Sequence, residues 1–150
     1  MSLGDYFPDA YRDDFLKNKI KAGTVIRLFD TTTIPPKKKF FIISAVCQEG
    51  ISVATVFINT EINPNMFPTA SLRALHFELH KISNDFLTYD SFVDCSKLTD
   101  RNFDWLHGQI TNDPSIVVGE VNETVIGTMH AIITYAPTIS IKQKRKYGFA

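Results

Sequence analysis

The sequence lacks the features that mark several large classes of protein. Its 150 residues include only two cysteines, with no CxxC pair, which argues against a thiolate zinc site and a disulfide framework. The longest apolar run, residues 40–43, is too short to cross a bilayer, and the N-terminus shows no signal-peptide pattern. Lys and Arg number 16, as do Asp and Glu, so a globally basic nucleic-acid-binding protein is not indicated. We therefore expect a cytoplasmic protein without a membrane partner.

The chain is rich in apolar residues. It is 44% hydrophobic and contains 12 Phe, which favours a packed core over intrinsic disorder. A length of 150 residues suits one ordinary domain. We predict a single domain over 1–150, made of an N-terminal helical extension over 1–21, a core over 22–136 and a basic tail over 137–150.

Strand and helix patterns alternate along the chain. Segments rich in Val, Ile, Leu and Phe, separated by turn residues, predict strands over 24–30, 40–47, 51–58, 75–82, 86–93 and 115–118. Capping residues and apolar spacing predict helices over 9–21, from Thr99 or Asp100 through Ile110, and from Asn122 to Pro137. The predicted fold class is therefore α+β, mainly β: a small barrel or strongly bent sheet of five to six mostly antiparallel strands, with N-terminal, middle and C-terminal helices.

Two histidines, His76 and His80, lie four residues apart on a predicted strand. At that spacing they share a face of the strand but are too far apart to bind one metal ion comfortably. No third ligand is evident. We interpret them as two solvent-facing histidines and predict no metal site.

Three consecutive lysines, Lys37, Lys38 and Lys39, follow a proline pair and lead into a buried strand. The ordinary interpretation of such a run is a solvated end of a loop. The functional interpretation is a phosphate site, because three ammonium groups at one rim of a barrel concentrate positive potential. Arg73 and the basic tail could extend that site.

Aspartate is uncommon in strands, yet Asp90 and Asp94 both fall in or beside a predicted strand. Their even spacing is compatible with two side chains that face solvent on one side of a sheet. The functional hypothesis is a carboxylate placed for proton transfer. Asn59, Thr60 and Glu61 end the strand before them and form either part of a site or a turn.

Five segments follow one another in a familiar order. They are the Gly-x-x-Ile pattern in 22–28, the apolar run in 36–44, the strand ending 56–60, the segment 89–92, and the strand and helix over 116–133. Together they resemble the PemK/Kid/MazF-like toxins, a family with an SH3-like barrel. The resemblance covers residues 22–136. The Arg-Pro pair of the family is missing, and three lysines stand nearby instead.

The resemblance implies an activity. The family cleaves single-stranded RNA without a metal ion by attack of the ribose 2′-OH, which needs a base, an acid and a group that stabilises the charged phosphorane. On this hypothesis Asp90 is the base or acid, Lys38 or Lys39 stabilises charge in place of the family's Arg, and Thr60 orients the phosphate. The further substrate-binding residues that we predict are Lys37, Asn59, Ser44, Arg73 and Ser91.

The resemblance also implies a toxin–antitoxin role, an antitoxin segment that lies over the same groove, and a homodimer. We predict no cofactor. A second hypothesis belongs to another class: a catalytically inactive barrel that binds nucleic acid or a protein, which the neutral net charge and the missing Arg favour. Convergence of Asp90, Thr60 and one of the three lysines on one groove would support the nuclease hypothesis.

Overall fold

The computed structural model describes residues 19–30 and 35–150. The strands in this part of the chain are β1 Thr24–Asp30, β2 Lys37–Val46, β3 Ser52–Asn59, β4 His76–Leu79, β5 Ser91–Asn102 and β6 Val117–Glu120. The helices are α1 Ala70–Arg73, α2 Phe103–Asn112, α3 Glu123–Tyr135 and α4 Ile141–Lys146. Two single turns of 3₁₀ helix are formed by Lys81–Ser83 and Pro114–Ile116.

All six strands join one antiparallel sheet in the order β4-β5-β3-β2-β1-β6. The sheet curls into a half-barrel. Gly50 makes the tight turn between β2 and β3: its φ is +70°, and its N–H donates to the carbonyl oxygen of Cys47 at 2.9 Å. The predicted α+β class, with five to six mostly antiparallel strands and added helices, is confirmed at this level.

Apolar side chains fill both faces of the sheet. On one face, Ile42 and Val56 belong to a cluster that includes Met129 and Ile133 of α3. On the other face, Phe41 and Ile43 join Leu106 and Ile110 of α2. Because helices cover both faces, the central strand β2 is apolar at successive positions, and this continuous run is the pattern that predicted it.

The strand predicted over 86–93 is wrong in its first half, since β5 begins at Ser91. Phe86 does not take an alternating strand position but packs its ring against that of Phe40, with 5.9 Å between the centroids. Asp90 consequently precedes the strand in a loop.

Helix α2 begins later than the predicted cap at Thr99 or Asp100, because β5 stays paired with β3 up to Asn102. The side-chain oxygen of Asn102 accepts a hydrogen bond from the N–H of Trp105 at 2.9 Å and caps the helix. Asn122 caps α3 as predicted. None of the helices in the described part of the chain is long and apolar enough to cross a membrane.

The segment predicted as a basic tail, 137–150, packs some of its side chains into the core, although most of its residues are exposed. Tyr147 is buried, and so is Lys144, although its side chain carries a charge. The ammonium group of Lys144 donates to the carbonyl oxygen of Ala136 at 2.8 Å, immediately after α3 ends. A cation at this end of a helix is favoured by the helix dipole.

The helix predicted over 9–21 lies outside the described residues up to position 18, and residues 19–21 lie in a turn. The loop predicted over 31–36 lies outside them at 31–34.

Candidate functional site

A groove of about 600 Å³ opens at the end of the sheet where β2 begins and β3 ends. This volume falls in the range of sites that bind small ligands or segments of polymer. Four lysines and two carboxylates line it: Lys37, Lys38, Lys39, Lys97, Glu61 and Asp94. The groove therefore carries an excess of positive charge in a chain that has none overall.

Strand register brings the lysine run to this groove. Phe40 pairs with Ile58, so the residue before Phe40 stands beside the residue after Ile58. Accordingly, the Lys39 ammonium group donates to the side-chain oxygen of Asn59, and it lies 5.1 Å from the centroid of the Phe57 ring. The apolar pairing of β2 with β3 thus fixes one lysine in place at the rim.

Asp94, a largely buried carboxylate in the lining of the groove, lies at the start of a bulge in β5. Residues 95–98 of β5 stand opposite the single residue Val56 of β3. The Oδ1 atom of Asp94 accepts hydrogen bonds from the N–H of Ser96 at 2.9 Å and from its hydroxyl at 2.5 Å, which is the geometry of an Asx turn. The Oδ2 atom makes no hydrogen bond with any described residue. One oxygen of this carboxylate is anchored, and the other is available to a ligand.

His76 lies behind Asp94, because β4 pairs with β5 and places these two residues opposite each other. Its side chain is 1% exposed, and its Nε2 lies 3.3 Å from Oδ1 of Asp94. Neither ring nitrogen makes a hydrogen bond within the described residues. The Phe67 ring packs edge-on against the imidazole with centroids 4.3 Å apart.

The prediction of two solvent-facing histidines is therefore wrong for His76. His80 is exposed, with its Nε2 3.5 Å from a carboxylate oxygen of Glu78. Over residues 19–30 and 35–150, no group of three or more His, Cys, Asp and Glu side chains is placed to hold a metal ion.

Of the predicted site residues, the structure brings Lys37, Lys38, Lys39, Asn59 and Thr60 together in the lining of the groove. Thr60 is exposed there, as are the first two lysines. This half of the predicted convergence is present.

Asp90 is not among the lining residues. Its carboxylate accepts a hydrogen bond from the backbone N–H of Lys81 at 2.9 Å, and this bond closes the loop between the two residues. Ser91 is buried, and its hydroxyl donates to the carbonyl oxygen of Tyr89 at 2.9 Å. Both side chains stabilise the chain around the start of β5, and the carboxylate near the predicted position in the groove is Asp94.

Two other predicted substrate-binding residues also have structural partners. Ser44 is buried in the middle of β2, where its hydroxyl donates to the carbonyl oxygen of Ala54 at 3.1 Å. Arg73 donates to the carbonyl oxygen of Phe67 at 3.1 Å and so holds the loop that forms one wall of the groove. Neither residue lines the groove.

Sequence reasoning missed Lys97 and the burial of His76, and it placed Asp94 second to Asp90. The even spacing of the two aspartates put both on one face of the predicted strand, and so it could not tell which of them lines the groove. Lys97 offered no such signal, because it reaches the groove only through the bulge in β5, and a bulge is not visible as a break in hydrophobic alternation.

Cys95 follows Asp94 but faces the core. Burial, together with the neighbouring carboxylate, raises the pKa of its thiol well above the ordinary value. A thiol held in its neutral form is a poor nucleophile. The chemistry of the groove therefore rests on its carboxylates, ammonium groups and hydroxyl.

A scan against models of protein families found no match, and a search of curated proteins found none either. The family resemblance therefore stays a prediction from the sequence.

Proposed function

We propose that the chain is a metal-independent endoribonuclease that cleaves single-stranded RNA in this groove, with Asp94 as the group that accepts the proton of the attacking 2′-OH. One observation carries the proposal. Asp94 has one oxygen anchored by Ser96 and the other without a hydrogen bond to any described residue, in a groove lined by four lysines. An oriented base beside cationic groups is what 2′-OH attack requires.

The reaction uses these groups as follows. Asp94 takes the proton from the 2′-OH as the 2′-oxygen forms its bond to phosphorus. The bond from phosphorus to the 5′-oxygen breaks, and this oxygen takes a proton from an ammonium group of the groove, Lys38 or Lys97. The Lys39 ammonium group stabilises the charge of the phosphorane. The hydroxyl of Thr60 donates a hydrogen bond to a phosphate oxygen.

Single-stranded RNA is the substrate class that the groove favours. Lysine side chains bind phosphates at any sequence, whereas unpaired bases stack on exposed aromatic rings. Phe57 and Phe67 are both partly exposed in the groove. A duplex would keep its bases stacked on one another and would leave these rings without partners.

The wider expectations from the resemblance belong to the same proposal. The curled antiparallel sheet supports an SH3-like barrel, and the positively charged groove would suit an acidic segment of an antitoxin. We retain the toxin–antitoxin role and the homodimer as hypotheses.

A second candidate function is an RNA-binding module that does not cleave. The specific observation in its favour is that the same Oδ1 contacts of Asp94 close the bulge of β5. These contacts are structural, and they would account for an aspartate at position 94 even in a protein that does not cleave RNA.

The test is cleavage of single-stranded RNA in EDTA by the wild type, Asp94→Asn and Asp90→Asn. The two aspartates form a matched pair, since only Asp94 lines the groove. We expect Asp94→Asn to lower the rate by about 10²- to 10⁴-fold, the range for loss of a general base, and Asp90→Asn to cleave normally. Wild-type products should carry a 2′,3′-cyclic phosphate and a 5′-OH.

Each contrary result has a defined meaning. Loss of cleavage in Asp90→Asn alone would return the base to the residue that the sequence indicated. Binding of RNA by a wild type that never cleaves would establish the second candidate. Neither cleavage nor binding would exclude both functions.

A further inference from the structure

We propose that His76 is a positioning residue that holds the Asp94 carboxylate, so that Oδ1 stays inside and Oδ2 faces the groove. The consequence for cleavage rests on the proposed function, whereas the contact between the two side chains can be tested without it.

The first step is the burial of His76. Its side chain is 1% exposed, and neither ring nitrogen makes a hydrogen bond within the described residues. A buried polar group without a partner is costly, and a leucine of similar volume would avoid that cost. Oδ1 of Asp94 lies 3.3 Å from Nε2 of His76. In the proposed arrangement the Nε2–H of His76 is directed at this oxygen.

The contact with His76 involves one particular oxygen of Asp94. Nε2 of His76 and both donors of Ser96 all approach Oδ1. Exchange of Oδ1 and Oδ2 would break the two hydrogen bonds from Ser96 and the contact with His76, so these neighbours oppose rotation of the carboxylate. Ser96 approaches along β5 and His76 from β4, so that the oxygen is held from two strands.

The third step is the position of other charges. Lys39 on β2 and Lys97 on β5 share the groove with Asp94, and Glu61 lies in the loop after β3. Glu78 on β4 contacts His80 instead. The lysines draw the carboxylate toward the groove, whereas His76 draws it inward. The imidazole thus prevents Asp94 from closing onto a lysine and losing its role as a base.

Phe67 completes the arrangement by packing edge-on against the imidazole at 4.3 Å. It separates His76 from the groove, so that His76 acts through Asp94 and does not itself touch RNA.

The experiment compares His76→Leu, His76→Gln and His80→Leu. His80→Leu is the matched control, because it removes a nearby histidine that also lies beside a carboxylate but is exposed to solvent. We expect His76→Leu to lower kcat by about 100-fold, the cost of a misplaced catalytic group, with KM and the affinity for RNA unchanged. His76→Gln keeps an N–H donor and should recover much of the activity. His80→Leu should equal the wild type.

Thermal unfolding separates this role from a structural one. Without His76, Oδ1 of Asp94 keeps both hydrogen bonds from Ser96, and leucine brings no polar group into the buried site, so His76→Leu should unfold close to the wild-type temperature. A kcat that falls in a variant of full stability supports the proposal, and a kcat that stays at the wild-type value overturns it.

Proton NMR of protein labelled with ¹⁵N-histidine tests the contact without any assay of cleavage. We expect the Nε2–H resonance of His76 to lie downfield, the mark of a hydrogen bond to a carboxylate, and to lose that position in Asp94→Leu. The His80 resonance should not change. A His76 resonance that is indifferent to Asp94→Leu overturns the proposal even if RNA is cleaved. A wild type that shows the coupled resonance but no cleavage supports the contact and rejects the nuclease.

Discussion

The two ends of the sheet carry similar polar residues but use them differently. At the end where β3 begins, the Tyr147 hydroxyl bonds to Ser52 at 3.0 Å and to Asp100 at 2.8 Å, and Lys146 forms an ion pair with the same aspartate. At the groove end, Asp94 has one oxygen without a hydrogen bond to a described residue. The lysines Lys37, Lys38 and Lys97 form no ion pair with any described residue.

The difference comes from the last 14 residues of the chain. We call Gln143, Lys144 and Tyr147 the C-terminal clamp, because they bond to β3, β5 and the residue after α3. The clamp supplies partners for the polar groups at one end of the sheet. At the other end Lys39 and Oδ1 of Asp94 have partners, but no described segment supplies one for Lys37, Lys38, Lys97 or Oδ2 of Asp94, and these groups are left to a ligand. Polar residues become a site where the fold gives them position but not partners.

Cys47 extends this contrast at the clamped end. Burial acts to raise the pKa of its thiol, but hydrogen bonds from Ser52 and Ile51 outweigh this and lower it. The N–H groups of both residues donate to the sulfur at 3.3 Å. The sulfur at this end therefore also has partners, which the turn between β2 and β3 supplies.

The largest expected difference between the two ends of the sheet is the loss of stability when a residue of the clamp is changed. Lys144→Met keeps the apolar stem but leaves the buried carbonyl of Ala136 without its charged donor, so the free energy of unfolding should fall by about 2 kcal/mol. Urea unfolding measures this loss. Lys142→Met, on the exposed side of the same helix, should change stability little, and neither variant should change the affinity for RNA. A more stable Lys144→Met protein would mean that desolvation of the ammonium group outweighs its hydrogen bond.

The converse change should weaken RNA binding without lowering stability. In a variant with Lys37, Lys38 and Lys97 all changed to Ala, the slope of log affinity against log salt should decrease in magnitude by about 2, since each phosphate contact on a single strand contributes about 0.7. Fluorescence anisotropy with a labelled oligonucleotide measures this slope, and the unfolding free energy should not change. The control removes Lys81, Lys142 and Arg145, which lowers the net charge equally. Equal weakening by both variants would show that overall charge, rather than the groove, binds RNA.

The next change concerns the pH dependence of the clamp. Burial raises the pKa of the Tyr147 hydroxyl, with Asp100 adding to the shift and Ser52 opposing it. A raised pKa in the folded state means that folding favours the neutral phenol. Its contribution is therefore complete below the ordinary tyrosine value of about 10 and is lost as the pH rises above it.

Tyr147→Phe should accordingly lower the free energy of unfolding by about 1 kcal/mol at pH 8, and the difference from wild type should shrink above pH 10. Unfolding by urea at several pH values measures this difference. Tyr135→Phe, an exposed tyrosine at the end of α3, is the control and should show no such trend. A constant difference across the pH range would remove the phenol from the pH response.

Much of the scaffold could be predicted from the sequence because its signals are local. The apolar run of β2, the turn at Gly50 and the cap at Asn122 each depend on neighbouring residues, and the structure has all three. The rim of the groove could also be anticipated, since the lysine run and Thr60 adjoin strands that form a hairpin.

The carboxylate and its support could not be predicted, because they depend on contacts between distant segments. Asp94, rather than Asp90, reaches the groove through the bulge opposite Val56. His76 is buried because the short strand β4 pairs with β5. Lys144 lies inside because α4 folds back onto the end of α3. The first two cases join segments that are far apart in the sequence, whereas Lys144 and Ala136 are only eight residues apart.

The smallest expected effect tests whether the clamp depends on the way that α4 ends. Gly148 has a φ of +79°, the N–H of Phe149 donates to the carbonyl oxygen of Lys144 at 2.8 Å, and that of Gly148 donates to Arg145 at 3.3 Å. This is the Schellman arrangement, in which a left-handed residue closes a helix. The turn places the Phe149 ring 5.2 Å from that of His130.

A Cβ at Gly148 would meet no atom within 4 Å, so Gly148→Ala isolates the cost of the backbone conformation. That cost, less the entropy that alanine removes from the unfolded chain, should lower the free energy of unfolding by about 0.5 kcal/mol. Gly127→Ala is the matched control, because a Cβ there also has open space but the residue lies inside α3, where alanine should stabilise by about 0.5–1 kcal/mol. Opposite signs from the same substitution would show that the helix ending, and not the added methyl group, carries the effect. If Gly148→Ala also stabilises the protein, the clamp holds without its left-handed turn, and the closure of that end of the sheet rests on the side chains of Gln143, Lys144 and Tyr147.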